Sequence, residues 1–228
     1  MLELRLKNGR TKTLHLFAAF ATITMLPLTA QAATVYTFNF ETCTTGCNVS
    51  PFGTVTLEQT VTDIVHVAVQ LAADYSFRKS NDANHHSFVF NLSTGTATFS
   101  NLVTSDTVSQ TFTTAGPGSV NMAGLGTFAY VVECTTCTSG SPVNPTRKLE
   151  FDLTASGLTV NSFVPTGIYH FAADIVGMTA AAGVDLTGNV ATTGGSLTTS
   201  TPEPTSLGLS LGGLSLLALA RKGRRRRA

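Results

Sequence analysis

Tryptophan is absent from this 228-residue chain, and charged side chains make up only 12% of it. Carbohydrate-binding surfaces usually stack sugar rings on exposed aromatic side chains, above all Trp, so the most typical residue of such a surface is missing. Residues 33–201 also contain no Gly-x-Ser-x-Gly elbow, no His-Glu-x-x-His motif and no Asp-x-Asp-x-Asp loop. Their absence argues against the hydrolase, metalloprotease and calcium-loop classes that these motifs mark.

Positive charge is scarce in the middle of the chain. Residues 33–201 hold four Lys and Arg residues against eleven Asp and Glu residues, a net charge of −7. Nucleic-acid binding requires a basic face, and this region cannot provide one, so no nucleic-acid partner is expected. The acidic balance favours solubility of this region.

The N-terminal segment has the three parts of a secretory signal. Four cations within residues 1–13 precede a largely apolar stretch, residues 14–28, and the small-x-small sequence Ala30-Gln31-Ala32 follows. This order predicts a signal peptide over residues 1–32 that is removed by signal peptidase between Ala32 and Ala33.

The C-terminal segment, residues 202–228, also has three parts. The motif Pro202-Glu203-Pro204 is followed by an apolar stretch over residues 207–220 and a basic end over residues 221–228. The apolar stretch predicts a transmembrane helix of about 21 Å, and snorkelling side chains with local bilayer thinning can cover the remaining thickness. The positive-inside rule places the basic end in the cytoplasm and residues 33–201 outside it. We call this basic end the basic stop; its cations are Arg221, Lys222, Arg224, Arg225, Arg226 and Arg227.

The Pro-Glu-Pro motif, the glycine-containing apolar stretch and the arginine cluster together resemble a PEP-CTERM protein-sorting domain. The resemblance covers residues 202–228, with Thr201 where family members often carry Val. It implies export by a Gram-negative bacterium that makes extracellular polysaccharide, and transient insertion in the inner membrane. It further implies cleavage near Pro-Glu-Pro by an exosortase, a membrane cysteine peptidase, and delivery to the cell surface or extracellular matrix. The resemblance implies nothing about the activity of the region between the two signals.

Alternating apolar and polar residues dominate that region. Residues 65, 67, 69 and 71 are Val, Val, Val and Leu, for example, and clusters of Gly, Pro, Asn and Ser separate such runs. Alternation with polar turns predicts a single, mainly β domain, an antiparallel β-sandwich over residues 33–187. The Ala- and Gly-rich residues 164–187 could form a short helix or a long loop. The small polar residues 188–201 predict a flexible linker to the sorting signal.

Four cysteines lie in the exported region, in the sequences Cys43-Thr-Thr-Gly-Cys47 and Cys134-Thr-Thr-Cys137. An even number of cysteines in an oxidising compartment indicates disulfides, and two local bridges are the simplest of three pairings. Bridges between the two pairs, a four-thiolate zinc site and a redox-active Cys-x-x-Cys are the alternatives.

The histidines and acids give no clear site by spacing. His85 and His86 lie in a polar loop, point to opposite sides of an extended chain, and are expected to be solvated rather than metal ligands. His66 is expected on the polar side of its strand, and the acids are scattered singly. We therefore predict no metal, no cofactor and no catalytic residues.

The sequence thus favours an exported structural or adhesive protein that is not an enzyme. The first alternative is a polysaccharide-binding module, and a row of exposed tyrosines on one face would support it. The second is a matrix-acting glycan hydrolase, which would need a cleft with converging carboxylates. The tyrosines in question are Tyr36, Tyr75, Tyr130 and Tyr169.

Overall fold

The computed structural model describes residues 33–43, 47, 50–79, 84–104, 110–137, 145–177 and 187–198. The predicted signal peptide, residues 199–201 and the predicted sorting signal lie outside these ranges. Within them the chain forms thirteen β-strands and one turn of 3₁₀-helix, Val160–Ser162. No helix in this described part is long and apolar enough to cross a membrane.

The strands are short to medium in length and follow one another closely along the chain. They are β1 Ala33–Glu41, β2 Gly53–Val61, β3 Ile64–Leu71, β4 Tyr75–Phe77, β5 Phe88–Phe90, β6 Thr98–Val103, β7 Phe112–Ala115, β8 Val120–Met122, β9 Gly126–Phe128, β10 Tyr130–Cys134, β11 Lys148–Thr154, β12 Phe171–Gly177 and β13 Thr187–Thr198.

Eleven of these strands form one antiparallel sheet. Its order is β6-β11-β3-β2-β1-β13-β12-β5-β10-β7, with β4 paired to β12 beside β5, while β8 and β9 form a separate hairpin. The prediction of a mainly β, antiparallel domain is therefore confirmed. Hydrogen bonding continues through β1, β13 and β12, so these eleven strands form one continuous sheet instead of the two separate sheets of a sandwich.

This sheet curls until its two halves face each other. The ring of Phe90 on β5 lies 6.0 Å from that of Phe151 on β11, although five strands lie between β11 and β5 in the sheet. Near the two ends of the sheet, Phe99 on β6 and Tyr130 on β10 lie 6.2 Å apart. Contact between rings from distant strands shows that the inner face encloses one aromatic core.

The alternating runs supply that core as the sequence predicts. Val65, Val67 and Val69 on β3 are fully buried, and so are Leu149 and Phe151 on the neighbouring β11. Successive side chains of a strand point to opposite faces, so each run directs its apolar set inwards. Burial of each such side chain stabilises the fold by roughly 1.5–3 kcal/mol.

A smaller apolar cluster lies on the outer face of the sheet, under the β8–β9 hairpin. Met122, Leu125 and Phe128 of the hairpin segment pack against Val89 and Ala172 of the sheet. Strand β12 is consequently covered on both faces, and all seven of its residues are buried.

The expectation of a short helix or long loop over residues 164–187 is wrong for Phe171–Gly177, which form β12. A strand covered on both faces shows a continuous apolar run instead of alternation, and such a short run cannot be distinguished from a helix by periodicity.

The prediction of a flexible linker over residues 188–201 is wrong for residues 188–198, because Thr187–Thr198 form β13. This strand lies between β1 and β12 and bonds to both. Its small residues make room for neighbours: a Cβ at Gly188 would lie 2.5 Å from Cys43 Sγ, and one at Gly195 would lie 2.6 Å from the Tyr36 ring. The small residues of β13 therefore reflect close packing against neighbouring side chains, and not a flexible linker.

Candidate functional site: a polar depression beside Asp174

The cysteines form two local pairs at disulfide distance, Cys43 with Cys47 and Cys134 with Cys137. Their Cα atoms are 5.7 and 5.5 Å apart, respectively. In the described residues no cysteine is free, so this pairing leaves no thiolate for the zinc or redox alternatives. The carboxylate of Glu41 lies beside the first pair and accepts a hydrogen bond from the backbone N–H of Cys47.

A buried carboxylate, Asp174, lies on β12 near the first cysteine pair. Its side chain is fully shielded from solvent, and Arg78 Nη1 and His85 Nδ1 each lie 3.5 Å from Asp174 Oδ2. The backbone fixes this arrangement, because Asp174 N–H donates to the carbonyl of His86 and Arg78 N–H donates to the carbonyl of Asp174. A buried carboxylate needs such partners, since desolvation of an isolated charge is costly.

Asn189 on β13 is the direct cross-strand partner of Asp174. It is 1% exposed, and its Nδ2 donates a 3.0 Å hydrogen bond to the carbonyl of Ala123. Its Oδ1 is buried and accepts no hydrogen bond from the described part of the chain. An unsatisfied buried acceptor costs about 1–3 kcal/mol, so a native fold retains one only where something else compensates.

Asn189 is one wall of a depression in the molecular surface of about 440 Å³. We call this feature the Asn189 depression. Its lining mixes hydrogen-bond donors with acceptors and contains no Phe, Tyr or Trp side chain. The lining residues are Thr42, Arg78, His85, Ala123, Gly124, Thr187, Gly188 and Asn189.

His86 points away from its neighbour His85 and contacts a different acid. Its Nδ1 forms a hydrogen bond with Glu133 Oε1, while the N–H of Ser87 donates to Glu133 Oε2 over 3.2 Å. The two histidines do point to opposite sides, as an extended chain requires. The expectation that both are simply solvated is wrong, since each lies against a carboxylate.

His66 lies on the outer face of β3, where it forms a surface network with Asp152 and Asn101. His66 Nδ1 lies 2.7 Å from Asp152 Oδ1, and Asn101 Nδ2 donates a 2.7 Å hydrogen bond to the other oxygen, Oδ2. Burial raises the pKa of Asp152, but the hydrogen bonds from Asn101 and His66 and the His66 charge outweigh it, so this pKa lies below its ordinary value.

The aromatic row that would support the polysaccharide alternative is not formed by the tyrosines. Tyr36, Tyr75 and Tyr130 are only 7%, 4% and 1% exposed, and Tyr169 is half-buried against Phe40. These four tyrosines therefore provide no exposed row on which a sugar ring could stack.

The structure brings together only part of the residues that the sequence nominates. It pairs the cysteines locally and places Ala33 at the start of β1, whereas Ala32, the Pro-Glu-Pro motif and the basic stop lie outside the described residues. Spacing did not nominate the Asn189 depression. The available signal was a single Asp within the apolar run Phe171–Gly177, where burial of a charge is improbable without partners.

Comparison of the chain with protein-family models, with curated proteins and with solved structures finds no match. The proposals below therefore depend on the residues and geometry of this chain.

Proposed function

We propose that this protein is an exported, non-catalytic structural or adhesive component of the cell surface or extracellular matrix. The observation that carries the proposal is the order of residues 202–228: the Pro-Glu-Pro motif, the apolar stretch and the arginine cluster, preceded at the other end by a secretory leader. The leader supplies export, and the PEP-CTERM-like tail supplies recognition by an exosortase.

Two properties of the described domain support this location. The cysteines pair locally at disulfide distance, which suits an oxidising compartment. The region between the two signals has a net charge of −7, which favours solubility outside the cell. We further propose to class the domain as a β-sandwich whose two layers belong to one continuous sheet.

The non-catalytic part of the proposal has support in how the titratable groups are engaged. Asp152 accepts from Asn101 and contacts His66, and Glu133 holds His86 and a backbone N–H. These carboxylates serve neighbouring strands or loops, so they are committed to holding the fold together.

Intact-mass measurement of the protein recovered from outside its native cells tests the proposal. We expect the mass of residues 33 to about 202, lower by four hydrogens than the fully reduced form. Reduction and alkylation should add four labels. Recovery of the protein only inside the cell, with residues 1–32 retained, would contradict export.

Replacement of Pro202, Glu203 and Pro204 by alanine tests recognition of the tail. We expect this variant to retain residues 202–228 and to stay in the membrane fraction. The matched control is Thr201→Val, which introduces the residue that members of the PEP-CTERM family often carry. We expect this variant to be processed normally. Unchanged release of the alanine variant would rule out exosortase processing at this motif.

A further inference from the structure

We propose that the outer face of the sheet binds a divalent transition-metal ion of the Zn²⁺ class, with His66 and Glu58 as its protein ligands. The proposal goes beyond the structural or adhesive role proposed above and does not depend on where the protein is located. It starts from the network of His66, Asp152 and Asn101, in which one ring nitrogen of the histidine is bonded and the other is open.

Hydrogen bonding at Asp152 fixes the ring of His66. Nδ1 lies 2.7 Å from Asp152 Oδ1, and Asn101 Nδ2 holds the other carboxylate oxygen at 2.7 Å. A neutral imidazole that donates its Nδ1–H to a carboxylate presents a lone pair on Nε2. Metal-ligating histidines are commonly oriented by a carboxylate in this way, which also raises the basicity of the ligating nitrogen.

The second ring nitrogen of His66 is accessible. The side chain is 29% exposed on the outer face of β3. Within the described ranges Nε2 has no hydrogen-bond partner, and it is not among the buried polar atoms. An ion can therefore reach Nε2 without any rearrangement of the fold.

Glu58 on β2 lies on the other side of His66. The two residues are direct cross-strand partners, and both point outwards because Leu57 and Val67 beside them point into the core. The Cβ atoms of such partners are about 4.5–5.5 Å apart, so the side chain of Glu58 is long enough to reach an ion bound at Nε2. Glu58 is exposed, and its carboxylate forms no ion pair or hydrogen bond with the part of the chain that the structure describes.

The charges around His66 favour a cation. Glu58 and Asp152 flank the ring, and Glu150 lies one row further along the outer face of β11. Lys148 Nζ lies 2.7 Å from Glu150 Oε1, so Glu150 is already engaged and Glu58 is the carboxylate left for an ion. An anion at the same place would face the negative charge of these acids.

The mixed ligand set selects the type of ion. Imidazole nitrogen suits Zn²⁺, Cu²⁺ and Ni²⁺, whereas Ca²⁺ and Mg²⁺ are held by oxygen ligands. Two protein ligands leave the remaining positions of a tetrahedral ion to water, so we expect weak and reversible binding. Sequence spacing gave no reason to expect a metal here, because Glu58, His66 and Asp152 come from three different strands.

Isothermal titration calorimetry of ZnCl₂ into the untagged full chain, with its cysteine pairs oxidised, tests the proposal. We expect saturable binding. Loss of even an outer-shell partner typically lowers metal affinity by about 10–100-fold, so His66→Gln and Glu58→Gln, which each remove a direct ligand, should weaken binding by at least about tenfold. Unchanged affinity in either variant, or no binding of Zn²⁺ by the native chain, would overturn the proposal.

The charge-matched control is Asp74→Asn, which removes one negative charge from an exposed position beyond the end of β3. It should bind Zn²⁺ as the native chain does, and CaCl₂ should not compete. Equal weakening in Asp74→Asn, or displacement of Zn²⁺ by Ca²⁺, would mean that general negative charge attracts the ion and would overturn the site. Since Glu58 is exposed, Glu58→Gln keeps the test valid even if His66→Gln fails to fold.

Asp152 acts here as a positioning residue, and its contribution has a separate readout. Nitrogen NMR of the His66 ring at about pH 8, where imidazole is ordinarily neutral, should show the Nδ1–H tautomer in the native chain. Asp152→Ala should give a mixture of tautomers and weaken Zn²⁺ binding by about 10–100-fold. A native ring protonated on Nε2 instead would overturn the assignment of Nε2 as the ligand.

Discussion

His66 on β3 and Asp152 on β11 are cross-strand partners whose side chains are joined by a 2.7 Å hydrogen bond on the outer face of the sheet. Asn101 on β6 binds the second oxygen of the same carboxylate. One acid thus links three adjacent strands at the edge of the sheet, where β6 has only one neighbour. We therefore expect the stability of the fold at acid pH to depend on Asp152.

We predict that Asp152→Asn reduces the acid sensitivity of the fold. The pKa of Asp152 in the folded domain lies below its ordinary value of 3.8, so its carboxylate stabilises the fold above that pH and loses this effect as pH falls through the folded pKa. Urea unfolding at about pH 7 and about pH 3 should show a smaller difference for the variant than for the native chain. The exposed Asp74→Asn is the control, and an equal reduction there would contradict the prediction.

A second pH dependence should arise at His170. Burial lowers the pKa of this imidazole below 6.5, and its ring lies 5.0 Å from that of Tyr36. The unfolded chain therefore takes up a proton more readily, and stability should fall as pH decreases from about 7 to about 5. His170→Gln should flatten this slope in Tm. An unchanged slope, or an NMR titration of His170 with a raised pKa, would show that burial does not control this group.

Close packing over β13 predicts different results at two adjacent glycines. Gly195→Ala would bring a Cβ to 2.6 Å from the Tyr36 ring, whereas Gly194→Ala meets nothing within 4 Å. We expect the first to lower the free energy of unfolding by about 1–3 kcal/mol and the second by about 0.5 kcal/mol or less. Chemical denaturation of both variants measures this. Equal losses would mean that the Tyr36 ring does not cover Gly195.

The disulfides should contribute modestly to stability. Each closes a loop with a sequence separation of only four or three residues, so its loss should cost about 2 kcal/mol or less. We expect the Cys134→Ser/Cys137→Ser double variant to remain folded, with a Tm a few degrees lower. Complete loss of folding would instead indicate that this pair has a structural role beyond closing its loop.

Alternation in the sequence was sufficient to locate strands that have one apolar face. Val65, Val67 and Val69 are buried, whereas the residues that alternate with them on β3 are partly or fully exposed, so the pattern identifies the strand directly. Strand β12 is covered on both faces and β13 accepts side chains from its neighbours, so neither carries that pattern. Local sequence could not show which other strand would cover them.

The candidate site was beyond prediction for a related reason. Asp174 and Asn189 are fifteen positions apart in sequence, and only the register of β12 against β13 makes them neighbours. Arg78 and His85 lie 96 and 89 positions before Asp174 in the sequence. The cysteine pairing could be predicted because the two partners of each pair are only four or three positions apart in sequence, so the fold need not be known.

The position of β13 also determines when the domain can become complete. It is the last strand along the described chain, yet it lies between β1, the first strand, and β12, and bonds to both. A polypeptide that emerges from a translocation pore with its N-terminal end leading must therefore hold the free edge of β1 unpaired until residue 198 has passed. During that interval the edge can pair with other chains. For the export proposed above, dependence on chaperones during secretion is the expected consequence, and slow final closure would follow from the long sequence separation.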